Sequence, residues 1–288
     1  MSFKSNSRAL AVAATVLAGS IAAASPAAAG VVVFSNVSAA WSNPAPGSGI
    51  SIANGSPTST ASWGTPTLGT KKSSYTFTGN GAVTDDLVSG GSDGPFQLGE
   101  FQHNNWPITG TSLTSIKLAF KADITVDGQS AGTKTFDFIF SHDETPNNGT
   151  NGVCKYGGTP GSGINTYGCA DQVSVESNSL NNMFVVGNDT YTLEIAGFFA
   201  NGVLTENFLT KEGKVEEVTT YYYEHGKKKK KKELVYTSFP NKAYVMGTVS
   251  MITSAVPEPS TWAMMIVGFG GVGSMLRANR RRLVPVAA

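Results

Sequence analysis

Apolar residues recur at every second position through much of this chain. In "SLTSIKLAFKADITV" the apolar positions include Leu113, Ile116, Leu118 and Phe120, and in "KTFDFIFSH" they are Phe136, Phe138 and Phe140. A period of two sends alternate side chains to one face, the pattern of a half-buried strand. Further short runs, "VVVFS", "SSYTFTG", "DQVSVES", "MFVVGNDTYTLEIAGFF" and "AYVMGTVSMIT", are separated by turn residues. From Gly30 to Gly99 the chain is low in charge and dense in Gly, Ser, Asn, Pro and Thr, as expected of short strands joined by long loops. No sustained helical period occurs outside the two ends. The pattern predicts an all-β fold, a β-sandwich of the jelly-roll or immunoglobulin-like kind.

One alternating segment, Val215 to Phe239, reads as an inserted β-hairpin. Lys227, Lys228, Lys229, Lys230, Lys231 and Lys232 run consecutively inside it, and this reading places them at its tip. Six like charges repel one another and stay solvated unless an anion is present. They are either a contact for acidic polysaccharide or lipopolysaccharide, or a solubilising loop, and the second reading is the simpler.

The two ends carry a different pattern. Residues 1–29 combine Lys4 and Arg8, an apolar run from Ala9 to Ala24, and "SPAAAG". This is the layout of a signal peptide cut after Ala29 by signal peptidase. At the other end, residues 257–288, Pro257, Glu258 and Pro259 precede an apolar segment, 262–276, that begins at Trp262 and is expected to form a transmembrane helix. Arg277, Arg280, Arg281 and Arg282 follow it and would hold that end on the cytoplasmic side. Order, spacing and position closely resemble the PEP-CTERM sorting signal of Gram-negative bacteria. The resemblance implies processing near Pro-Glu-Pro by an exosortase and release to the cell surface or exopolysaccharide. Contact with the membrane would then run only through the C-terminal helix, before processing.

Removing both ends leaves one exported domain, residues 30–256, large enough to bury a core. All five arginines of the chain lie in the end segments, so the exported part has none. It holds 15 lysines against 19 acidic residues, a formal charge of −4. Nucleic-acid binding depends on distributed cationic contacts to phosphate, so this balance argues against it. Cys154 and Cys169 are the only cysteines. In an oxidising compartment they are expected to form a disulfide closing a Gly-rich loop.

The stretch "FSHDETPNNGTNGVC" holds the densest candidate chemistry. His142 could serve as a base, but neighbouring strand residues face opposite ways, so only His142 and Glu144 share a side. No nucleophile elbow, zincin, P-loop or dinucleotide motif occurs, and no carboxylate pair stands out for glycoside hydrolysis. No enzymatic activity is therefore expected. A metal site would draw on His103, Asn105, His142, Glu144 and Asp171, with Ca²⁺ favoured by the oxygens and Zn²⁺ by the histidines. The simpler reading is a structural turn from Asp143 to Asn148, with His103 and His142 as hydrogen-bonding posts between loops. On that reading no cofactor is required, and Ca²⁺ stays as the alternative.

A second resemblance covers most of the exported part. "LGEFQHNNWPITGTSLTSIKLAF", "FDFIFSHDETPNNG", "GCADQV" and "LEIAGFFANG" look like the THxN family of PEP-CTERM proteins, which share a domain of the choice-of-anchor type. The family motif falls on Gln102, His103, Asn104 and Asn105, with glutamine where threonine is expected. The resemblance implies a surface or matrix protein without an assigned enzymatic activity. A carbohydrate-binding module is the rival reading. It would need aromatics lining an exposed sheet face, for which Trp41, Trp63 and Trp106 are the candidates. A polysaccharide hydrolase is the third reading.

Overall fold

The computed structural model describes residues 30–46, 48–88, 91–177, 182–252 and 259–282; the expected signal peptide, Pro257 and Glu258 lie outside them. Antiparallel pairing builds a 15-stranded sheet that folds over on itself. One half carries Gly30–Ala45, Ser115–Val126, Gln129–Asp143, Asp171–Ser177 and Asn207–Thr210. The other carries Thr58–Trp63, Ser73–Gly79, Phe96–Asn104, Lys242–Ile252 and Asp189–Ala200. Phe34 lies 5.5 Å from Phe96, and Phe101 lies 5.3 Å from Phe140, so the two halves meet face to face. This is the all-β sandwich that the alternation predicted.

The period-two rows point into that interface. Ile116, Leu118, Phe120, Ala122, Ile124 and Val126 are buried along one strand, and Phe136, Phe138 and Phe140 along its neighbour. Each large apolar side chain withdrawn from water stabilises the fold by about 1.5–3 kcal/mol. Trp41, Trp63 and Trp106 are buried too, with Trp41 set against Phe140 at 5.2 Å. The three tryptophans therefore cannot line a sugar-binding face. Trp41 and Trp63 fill the core, and Trp106 packs at the root of a hairpin against Tyr236.

The hairpin, Lys214–Glu224 paired with Lys227–Thr237, forms a sheet of its own. Its turn is the two-residue pair His225 and Gly226, with φ of 50° and 70°, the positive values that a tight hairpin connection demands. The expectation of a lysine tip is thus corrected. All six lysines form one exposed strand beside "TTYYYE", with Tyr221 opposite Lys230 and Tyr223 opposite Lys228. The root is held by Tyr236, edge-on to Trp106 at 5.9 Å, and by Lys71 over the Tyr236 ring.

The C-terminal segment forms a helix, Pro259–Arg282, which includes the positions of Trp262, Arg280, Arg281 and Arg282. The expected transmembrane assignment does not hold: no helix among the described residues is long and apolar enough to cross a membrane. The apolar stretch from Trp262 to Leu276 reaches about 22 Å, against a hydrocarbon core of about 30 Å. Gly268, Gly270, Gly271 and Gly273 lower its hydropathy further.

Candidate functional site

At one end of the sandwich the inward rows change from apolar to polar. Phe101 is followed at the next inward positions by His103 and Asn105, and Phe140 by His142 and Glu144. Phe208 is followed by Thr210 and Glu212, while Asp171 precedes Val173 and Val175. Four strands thus end in one layer. His103, Asp171, Thr210 and Glu212 are at most 1 % exposed, and Asn105 and His142 are also buried.

The donor atoms converge. Ligand-capable atoms of His103, His142 and Asp171 lie within 4.8 Å of one another, as do those of Glu144, Asp171 and Glu212. Asp171 belongs to both groups. All five residues singled out in the sequence come together, and Glu212 and Asn147 join them. The His103 and His142 rings stand perpendicular, 5.1 Å between centroids, against Trp63 and Tyr75.

Several of these side chains are only partly satisfied. Asp171 Oδ1 accepts from the Thr145 amide at 2.7 Å and the Thr145 hydroxyl at 3.2 Å. His103 Nδ1 meets the Thr210 hydroxyl at 2.9 Å, and His142 Nδ1 meets the Tyr75 hydroxyl at 2.6 Å. His142 Nε2 lies 3.2 Å from Glu144 Oε2, which also accepts from the Ser112 hydroxyl at 3.1 Å. Yet His103 Nε2, Asp171 Oδ2, Glu212 Oε2, Asn105 Oδ1 and Asn147 Oδ1 are buried without a hydrogen-bond partner. Such atoms normally find partners, since each one left alone costs about 1–3 kcal/mol.

Electrostatics follow from this crowding. Burial, then the charges of Glu144 and Glu212, hold the Asp171 carboxyl well above the usual range. Burial and Glu144 push Glu212 up to about 8. Burial and His142 hold the His103 imidazole well below its usual value. Desolvation disfavours each charged form, and the clustered carboxylates repel. The layer can therefore retain protons, or exchange them for a cation.

The surrounding loop is braced. Cys154 and Cys169 are bonded, with Cα atoms 5.3 Å apart. Lys155 and Tyr156, inside the closed loop, both donate to Asp143 on the opposite side of its strand from His142. The expected turn is present as well, with the Gly149 amide bonded to the Pro146 carbonyl at 2.8 Å. The turn and the polar layer are parts of one construction. Glu212 and Asn147 were missed in the sequence, although inward parity from Phe208 through Thr210 would have reached Glu212.

An open surface hollow of about 430 Å³ lies elsewhere, lined in part by Glu176, Glu194 and Glu206; none of the buried layer lines it. Residues 255–282 match the PEP-CTERM protein-sorting motif. That motif marks a secreted protein sorted by an exosortase. No curated protein matches the chain.

Proposed function

We propose that this exosortase-sorted chain is a non-enzymatic protein of a Gram-negative cell surface, held in anionic exopolysaccharide by its lysine-bearing hairpin. The resemblance to the THxN proteins supports the surface role, with cleavage near Pro257 freeing the domain from its C-terminal helix. The observation that carries the polysaccharide contact is the hairpin itself. Tyr221 and Tyr223 are 63 % and 75 % exposed and share a face with Lys228 and Lys230. Lys229, Lys231 and Lys232 pair with Glu224, Glu233 and Glu217, whereas Lys227, Lys228 and Lys230 pair with no carboxylate among the described residues. Lys228 lies over the Tyr221 ring at 4.3 Å, and exposed rings beside ammonium groups without carboxylate partners suit a polymer that offers both sugar faces and acid groups. The body beneath is acidic overall, so the positive field is local to this strand. At physiological salt that field extends about 8 Å.

Retention on an acidic polysaccharide matrix tests this reading. Wild type is expected to be held at low salt and released at high salt, while a variant with all six lysines changed to Ser passes through. Equal retention of the two at low salt would return the lysines to a solubilising role.

A further inference from the structure

The geometry points to a buried transition-metal centre of the zinc class, held by His103, His142 and Asp171, with Glu212, Glu144 and Asn105 closing the set. Three features of the layer carry this, beyond the mere presence of acids.

The first is aim. His103, Asp171 and Glu212 are fully enclosed, and each turns one unpartnered atom, Nε2, Oδ2 and Oε2, into the same layer. Nε2 of His103 and Oδ2 of Asp171 are not joined by a hydrogen bond, so neither satisfies the other.

The second is the state of His103. Thr210 has one hydroxyl hydrogen, which it donates to the Asp171 carbonyl at 3.4 Å. With that hydrogen so directed, its oxygen is free to accept from His103 Nδ1 at 2.9 Å, the tautomer in which Nε2 keeps a bare lone pair for a cation. An imidazole whose far nitrogen donates to an oxygen is the usual arrangement of a metal-ligating histidine. His142 meets Tyr75 through Nδ1 and Glu144 through Nε2, so a cation bound at Nε2 would take the place of the Glu144 contact.

The third is the donor chemistry. Two imidazoles with carboxylate oxygen suit Zn²⁺ and related ions, whereas Ca²⁺ prefers oxygen alone. A dication also offsets the repulsion among Asp171, Glu144 and Glu212. His103, His142 and Asp171 are buried, which fits a structural centre more than a catalytic one, since catalytic zinc keeps an open position. The ion would join the ends of four strands to the disulfide-closed loop.

The test is metal binding by purified exported protein. After chelation and dialysis, Zn²⁺ should rebind with one equivalent, and Co²⁺ should give visible absorption that Zn²⁺ abolishes. Asp171→Asn is expected to weaken Zn²⁺ binding at least 100-fold. Thr210→Val, which removes only the hydroxyl that orients His103, should weaken it roughly tenfold, and it answers the question if Asp171→Asn does not fold. His225→Gln, on the hairpin turn, should bind as wild type does. Absence of stoichiometric Zn²⁺ or Co²⁺ binding by wild type overturns the assignment. So does undiminished binding by Thr210→Val, or binding of Ca²⁺ in preference to both.

Discussion

Tyr75 and His142 meet at 2.6 Å between phenol oxygen and Nδ1, inside the protein, with Trp63 packed on both rings. Burial, together with the charges of Asp171 and Glu144, holds the phenol well above its usual pKa, so it stays a neutral hydroxyl. Tyr75→Phe keeps the ring and removes this partner. The expected loss is about 1–3 kcal/mol, the cost of an unsatisfied buried polar atom, read as a lower denaturant midpoint at unchanged m-value. A variant as stable as wild type would show that the hydroxyl is not needed to hold His142.

The Cys154–Cys169 bridge closes a 15-residue separation rich in glycine. Chain entropy assigns about 3 kcal/mol to such a closure. Cys169→Ser should therefore melt measurably lower, and native protein should resist alkylation until a reductant is added. Full labelling without reductant would rule the bridge out in the exported form.

The acidic layer makes a pH prediction. Glu212 binds its proton more tightly folded than unfolded, as does Asp171, so in the absence of metal the native state keeps protons that the unfolded state has already lost. Stability then falls between about 4.5 and about 8. The groups facing this pair are Glu144, His103 and His142, and none supplies a permanent positive charge; His103, held neutral, opposes the fall below its usual value of 6.5, one group against two carboxyls. Denaturation with chelator at pH 5 and pH 8.5 should show the fall, and saturating Zn²⁺ should flatten it. Stability that increases with pH in chelator would contradict the arrangement.

The hairpin should come loose without damaging the body. Tyr236 is its main apolar hold, against Trp106 and near Gly69. Tyr236→Ala is expected to speed proteolysis between Lys214 and Thr237 severalfold, with the domain's melting temperature lowered only slightly. A large drop in melting temperature would place the hairpin root within the cooperative core.

Much of this architecture can be read along the chain, because strand periodicity is local. Alternation alone predicted the inward rows at Ile116, Leu118 and Phe120 and at Phe136, Phe138 and Phe140, and the sandwich that they require. Proximity between rows is another matter. That His103, His142, Asp171 and Glu212 end at one level depends on strand register and on the folding over of the sheet, which bring residues distant in sequence together. Sequence parity placed His103 with Asn105 and His142 with Glu144, but it could not show that His103, Asn105 and His142 are buried while Glu144 stays partly exposed. The lysines show the same division: their charge was evident from the chain, while the two positive φ values at His225 and Gly226 moved them from tip to strand. By residue type the tryptophans are candidates for the rival sugar-binding reading, and tertiary packing decides against it, since only the folded structure determines which rings water can reach. Sorting stands apart, being written in a short contiguous segment, residues 255–282, that the exported domain does not have to assemble.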